Sequence, residues 1–347
     1  MTKSIAIIGA GIAGLSCAQS LLEQGFSVKV FEKSRGLAGR CATRTRDGVS
    51  VDHGAQFFSA KSERFRDFVQ RGIAQGHIAS WQPKTFHPKA NHDWYVGVPG
   101  MSSLAQLFNL NHCVQTQALV EEVQFKESSW EVTFTHQEKS IQEHFDGLIL
   151  AIPAPQALTL LNRIDRQSFA KSAVLDTISQ VVADIEMLPC WTVMLSCSQQ
   201  LAHLWSYDVW QCPDSDLDLH PIGWFANDST KPLRTASEST HSWILQASPK
   251  WSIQHLEDAP ETIIATMTAE LEKLLHISLT PCIEKATAHR WRYARVAGKT
   301  SHVTPFLFDH VSHLGLCGDY FSSSRIESAF LSGHALANQW TEQLQTS

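Results

Sequence analysis

The chain opens on an unbroken apolar run, Ile5-Ala6-Ile7-Ile8, that leads into Gly9-Ala10-Gly11-Ile12-Ala13-Gly14. Four apolar positions without polar alternation predict a strand buried on both faces, at the centre of a parallel sheet. Ile12, Leu15, Ala18 and Leu22 then fall on one helical face, and Gly25 is placed to end that helix. Ser27 to Phe31 predicts a second strand, which delivers Glu32 eighteen residues past Gly14.

This order of strand, glycine turn, helix, strand and acid has a physical reading. Gly9 suits the tight turn, Gly11 lets backbone approach a pyrophosphate with no Cβ in the way, and Gly14 lets the helix lie close on the strand. The phosphates would sit on free N–H groups at the helix start, where Ile12 and Ala13 stand. A carboxylate at Glu32 would accept both hydroxyls of an adenosine ribose.

Farther along, Phe65, Phe68 and Val69 make an apolar stripe in a polar-faced helix within residues 59–78. Residues 79–99 hold Pro83, Pro88 and Pro99 and read as an irregular crossing into a second lobe. Ser102 and Ser103 are placed to cap a helix beginning at Leu104. Strands are expected at Leu119 to Val123, Trp130 to Phe134 and Phe145 to Ile152, the last ended by Pro153.

Residues 165–285 change character. Apolar runs at 191–195, 222–225 and 243–247, far apart and joined by polar loops, predict an antiparallel sheet, and Glu261 to His276 predicts an amphipathic helix over one face. Seven of the eleven tryptophans (191, 205, 210, 224, 243, 251 and 291) lie in this block or just past it. They supply core, and an aromatic wall for a planar ligand. The chain closes on a strand, Leu314 to Cys317, then Gly318-Asp319 and a helix expected from Ala335 to Leu344.

At 347 residues the chain can bury cores in two lobes. A formal charge of −6 argues against nucleic acid or an anionic membrane as the main partner. No apolar run has the length of a membrane span, and no leader peptide is visible. The eight scattered cysteines form no CxxC pair and no metal-ligand spacing, so reduced thiols in a cytoplasmic protein without a metal are expected.

Glu32, Gly36-Leu37-Ala38-Gly39-Arg40, Ala42-Thr43-Arg44 and Asp52-His53-Gly54-Ala55-Gln56-Phe57-Phe58 together resemble the flavin amine oxidase superfamily and, within it, the renalase branch. The resemblance covers both ends of the chain and the strands between, and the second lobe only loosely. It implies an α/β fold, with a Rossmann-type FAD-binding domain made of discontinuous segments (1–78, 100–162 and 286–347). An α+β substrate domain (79–99 and 163–285) would carry the antiparallel sheet.

The same resemblance implies non-covalent FAD held by Gly9, Gly11, Ile12, Ala13, Gly14, Glu32, Lys33, Gly39, Arg40 and Val123. His53, Gly54, Ala55 and Gln56 would border the isoalloxazine ring, and Asp319 would bond the ribityl chain after Gly318. The final helix, through Glu327, Ser328 and Ala329, would face the ring N1 and C2 carbonyl. Substrate candidates are Phe57, Gln246, Arg290, Trp291 and Arg292, with Arg295 extending the charge.

The renalase branch implies oxidation of isomeric dihydronicotinamide dinucleotides, 2- or 6-dihydro-NAD(P), with oxygen as acceptor. Three other readings stay open: an amine oxidase or a carotenoid-type desaturase on the same fold, and a non-catalytic flavin or dinucleotide sensor. Phe57 stands where relatives often carry Tyr, and Gln246 where some place His, which bears on the substrate's identity. Oligomeric state is not legible.

Overall fold

The opening apolar run forms the strand Ser4–Ile8, central in a six-stranded sheet ordered Phe306–Asp309, Leu314–Cys317, Gly147–Leu150, Ser4–Ile8, Ser27–Phe31, Val114–Gln115. All neighbours run parallel except the Phe306–Asp309 edge. The computed structural model describes residues 2–46, 49–86, 93–167, 169, 172–198, 200–213, 216–234, 240–298 and 304–345.

Both faces of the central strand are covered, which is why its apolar run does not alternate. Ile5 and Ile7 enter one core with the helices Ile12–Glu23 and Ile326–Gln345. Ala6 and Ile8 enter another with the antiparallel strands Ala118–Lys126, Ser129–His136 and Lys139–Phe145. The two helices touch backbone to backbone, since a Cβ on Gly333 would lie 2.0 Å from the Ala13 carbonyl oxygen.

The second lobe is a five-stranded antiparallel sheet ordered Val209–Gln211, Ile222–Asn227, Thr240–Ala247, Met187–Ser198, Ile283–Val296. Pro260–Leu275 covers one face with Ile263, Met267 and Leu271, within one residue of the expected helix at each end. Trp191, Trp210, Trp243 and Trp251 fill the core beneath it, and Trp205 packs against it. Trp224 instead joins the core of the first lobe, so the lobes share packing.

Four expectations need correction. Ile283–Val296 is a strand of the second sheet, so the nucleotide lobe resumes after Val296 and not at 286. Ser102 and Ser103 do not cap: the helical segment is a 3-10 turn, Met101–Phe108, that starts after Gly100, and the Ser103 hydroxyl donates to the Gly100 carbonyl at 2.7 Å. The final helix begins at Ile326, not Ala335. Residues 79–99 are not all irregular, because Ile78–Trp81 pairs with Trp94–Gly97 in a short antiparallel ribbon; Pro88 lies outside the described residues.

No helix among the described residues is long and apolar enough to cross a membrane. No group of metal-binding side chains occurs among them either.

Candidate dinucleotide and substrate site

Most glycines of the first turn are explained by the chain itself. Gly9 has φ +105°, and a Cβ there would lie 2.6 Å from the Ala151 carbonyl oxygen. A Cβ on Gly14 would lie 2.0 Å from the Gly9 carbonyl oxygen. Gly11 is different: φ −73° and ψ 175° suit any residue, and a Cβ there would meet no atom within 4 Å.

Nothing in the fold therefore requires glycine at position 11. The helix Ile12–Glu23 starts at this point with no side-chain cap and no acid in its first turn. Free N–H groups and the positive end of the helix dipole thus face the space that a side chain at 11 would fill. That arrangement accepts an anion, and its empty Cβ position fits a pyrophosphate at backbone distance.

Glu32 is buried and its carboxylate is fixed by two backbone donors, Ala10 N–H at 3.0 Å and Ser34 N–H at 2.8 Å. The Gly36-to-Arg40 loop lies alongside, with Ala38 N–H donating to Ala10 at 2.9 Å and bridging Gly11. Gly39, at φ +53°, brings this loop against Gly11. The expected dinucleotide residues Gly9, Gly11, Ile12, Ala13, Gly14, Glu32 and Gly39 are thus assembled in one place.

Other cofactor candidates are used differently. Arg40 pairs with Asp319 at 2.5 Å and also donates to the Ala294 carbonyl at 3.0 Å, so it braces Asp319 rather than standing free for phosphate. Gly318 N–H donates to the Ser332 hydroxyl. Glu327 turns its carboxylate to Lys61 N–H, Ser62 N–H and the Ser62 hydroxyl, fixing the start of the helix Glu63–Ala74.

Ser328 bonds Ser323, and Ala329 N–H is already donated to Arg325, which removes Ala329 as a donor to a ring. Val123 is wholly buried in the second core. Lys33 is exposed.

The turn after Asp52 collects the remaining candidates. A Cβ on Gly54 would lie 2.0 Å from the Arg40 carbonyl oxygen and 3.4 Å from the Trp291 ring. Trp291 stacks on His53 at 5.3 Å and donates its indole N–H to the His53 carbonyl at 2.8 Å. Phe57 stacks on Trp94 at 4.0 Å and on Trp224 at 5.4 Å.

Gln246 reaches this turn from the second sheet and donates its amide to the Gly54 carbonyl at 2.7 Å. Gln56, expected beside the ring, has its side chain turned into the protein. It is buried, donating to the carbonyls of Asp52 at 2.6 Å and Gly54 at 3.2 Å. Ala55, next to it, keeps its small side chain at the turn and donates its N–H to Arg40 at 2.9 Å.

Arg290 and Arg292 do not join Trp291. They leave the opposite face of the strand, where both pair with the exposed Glu257, at 2.8 Å and 2.6 Å. The alternation that sends Trp291 inward sends its neighbours outward. His289, two residues before Trp291, does share its side and meets His53 edge-on at 4.8 Å.

Burial pushes the His53 imidazole down to about 4, with His289 and Arg44 adding to the effect of burial. His289 is lowered as well, by burial and then Arg44. Both rings are therefore neutral at pH 7, and the His53 Nδ1 atom is buried without a hydrogen-bond partner.

The sequence reading did not single out His289 within its segment, and it missed Trp94 and the Asp228, Lys231 and Arg234 cluster. For His289 the period-two step from Trp291 was available. For the cluster, no local pattern shows that these residues meet Asp52.

A family model described as an NAD(P)-binding Rossmann-like domain matches residues 7–71. The zeta-carotene-forming phytoene desaturase of Myxococcus xanthus is 46% identical over 77 residues, 19% of this chain and 15% of that protein. The 4,4'-diapophytoene desaturase of Staphylococcus aureus (strain Newman) is 32% identical over 76 residues, with the same 19% and 15% coverage. The chain thus matches only a short part of these relatives.

Solved structures match over the whole length. A protein described as a protoporphyrinogen oxidase from Exiguobacterium sp. 255-15 superposes with a TM-score of 0.74 at 11% identity, covering 99% of both chains. Cyclohexylamine oxidase from Brevibacterium oxydans IH-35A superposes with a TM-score of 0.67 at 13% identity, covering 99% of this chain and 100% of that one. The chain therefore has the two-lobed α/β fold of these solved structures, and the segment that matches the Rossmann-like domain model lies at its start.

Proposed function

We propose that this protein is an FAD-dependent oxidoreductase of renalase type, which oxidises 2- or 6-dihydro-NAD(P) to NAD(P)+. The observation that carries the cofactor is Gly11, a glycine that neither backbone conformation nor packing requires, at an uncapped helix start beside a fixed carboxylate. The match of residues 7–71 to a dinucleotide-binding domain and the fold shared with oxidases support the same reading.

Bound FAD supplies a two-electron acceptor. The chain's residues bind, orient and exclude water. Backbone N–H groups at Ile12 and Ala13 would take the pyrophosphate, and Glu32 would take the ribose. The Gly54–Ala55 backbone offers a side-chain-free edge where a flat ring can approach.

The substrate's C–H bond breaks with both electrons leaving as hydride, and the dihydronicotinamide becomes an aromatic pyridinium. No general base is needed for that step, which agrees with neutral His53 and His289 serving as polar wall rather than as a proton acceptor. The hydride equivalent and one solvent proton reduce O2 to H2O2. Phe57 on Trp94 and Trp224, together with Trp291 stacked on His53 of the same turn, offers aromatic surface for a nicotinamide ring to stack on.

Those stacked rings also favour a second reading, an amine oxidase with a neutral amine between aromatic faces. Against it, the buried Lys231 is bonded to Asp52 and Asp228 and is not available to hold a catalytic water.

The test is an anaerobic mix of the flavin-loaded protein with 2- and 6-dihydro-NAD(P) and with a panel of amines. Flavin absorbance near roughly 450 nm reports reduction. Bleaching by a dihydronicotinamide isomer, reversed by air, supports the proposal. Bleaching by amines alone replaces it with the second reading.

A further inference from the structure

A cluster of four charged side chains lies buried between the lobes, away from the dinucleotide turn. Asp52 ends a strand of the first lobe, whereas Asp228, Lys231 and Arg234 belong to one loop after the second-lobe strand Ile222–Asn227. Their side chains are 0–1% exposed. Two acids and two bases balance in charge, which makes their burial tolerable.

Lys231 Nζ lies 3.1 Å from Asp52, 2.5 Å from Asp228 and 3.3 Å from Gln56 Oε1. Arg234 bonds Asp52 and the carbonyls of Gly97 and Pro99. Asp52 also accepts from Thr43 at 2.7 Å and from Met101 N–H at 2.9 Å. Burial alone would raise the Asp52 carboxyl, but Lys231 and Arg234 hold it below its ordinary value.

The contact with Gln56 has a directional consequence. An ammonium only donates, so Lys231 fixes the Gln56 oxygen toward itself and turns the NH2 to the carbonyls of Asp52 and Gly54. The Gly54 carbonyl then accepts two amide donors, from Gln56 and from Gln246 of the second sheet. The other end of the same peptide unit, Ala55 N–H, donates to the Arg40 carbonyl.

We infer that Lys231 and Gln246 are positioning residues through which the second lobe locks the orientation of the Gly54–Ala55 peptide at the ring side of the cofactor site. A peptide following glycine has the least steric resistance to rotation, so its orientation here depends on these bonds. With both donors in place the carbonyl cannot turn. The inference rests on the FAD reading for its consequence, namely that the lobes together fix the wall facing the ring, but the lock itself belongs to the chain.

Two variants test it. Gln246→Leu removes one donor at similar volume. The double exchange Lys231→Met with Asp228→Leu removes the Gln56 anchor while leaving Asp52 paired with Arg234, so buried charge stays balanced and the fold is retained. Hydrogen exchange at Ala55 N–H reads the lock directly, with or without FAD. The visible spectrum and midpoint potential of bound FAD read its effect on the ring.

The expected result is at least about a hundredfold faster exchange at Ala55 in both variants, with exchange in the central strand Ser4–Ile8 unchanged. In FAD-loaded protein we expect an altered flavin spectrum and about a tenfold change in the reduction equilibrium, about 30 mV for a two-electron couple. Wild-type exchange at Ala55 in both variants overturns the lock. Faster exchange with an unchanged spectrum and potential overturns its role toward the ring. Failure of the wild type to bind FAD overturns the FAD reading instead, while the exchange result still judges the lock.

Discussion

His53 is a point where acid should weaken the protein. Its folded value, about 4, lies below the ordinary 6.5, so the unfolded chain binds more protons between these values. Stability from this residue is complete above pH 6.5 and is lost as pH falls toward 4. At about 1.4 kcal/mol per unit the loss is on the order of 3–4 kcal/mol when complete. Urea midpoints measured from pH 7 to 4.5 should fall in the wild type and fall less in His53→Gln.

Arg292 makes the opposite kind of prediction. Its partner, Glu257, is exposed and the pair lies on the outer face of the strand, so Arg292→Ala should change KM for a dihydronicotinamide dinucleotide by less than about twofold. Steady-state kinetics decide this, and a tenfold rise would return the arginine to the site. At this scale, Glu32 and the glycines were legible because their chemistry depends on spacing within one turn. The partners of Arg290, Arg292, Gln56 and Glu327 were not legible because they lie far away in sequence, at Glu257, Lys231 and Ser62.

Elements were legible where burial writes a pattern. The central strand, its helix, the second-sheet strands Met187–Ser198, Ile222–Asn227 and Thr240–Ala247 and the helix Pro260–Leu275 all follow the apolar pattern. The strand Lys139–Phe145 was missed because it is a sheet edge with polar alternation and little buried surface. The last helix was started late because the small and polar residues before Ala335 give way where it crosses Ile12–Glu23.

That crossing carries its own prediction. A methyl group on Gly333 would overlap the Ala13 carbonyl, and both helices are part of the same core. Gly333→Ala should cost on the order of 1–3 kcal/mol by forcing the helices apart, despite the better helix propensity of alanine. Thermal unfolding checks it, and an unchanged or raised midpoint would show that the helices can separate at no cost.

On the scale of the whole molecule, two lobes are tied by three kinds of contact around one turn. The buried charges join Asp52 to the loop Asp228 to Arg234, the amide of Gln246 meets Gly54, and Trp224 and Trp291 enter the first lobe's surface. Apart from Trp291, which the sequence places in the nucleotide lobe, each comes from strands or loops expected in the second lobe. The way the lobes meet was not readable, since it depends on pairs separated by more than 160 residues.

On the proposed function, the space over Gly11 is kept clear for the pyrophosphate of FAD. The most direct test is FAD titration of the wild type and of Gly11→Ala, each with a thermal melt of the unliganded protein. Because the added methyl meets no protein atom, the two should melt alike, and the variant should lose at least about a hundredfold in affinity, near 3 kcal/mol. Equal affinity in two equally stable proteins would contradict the account.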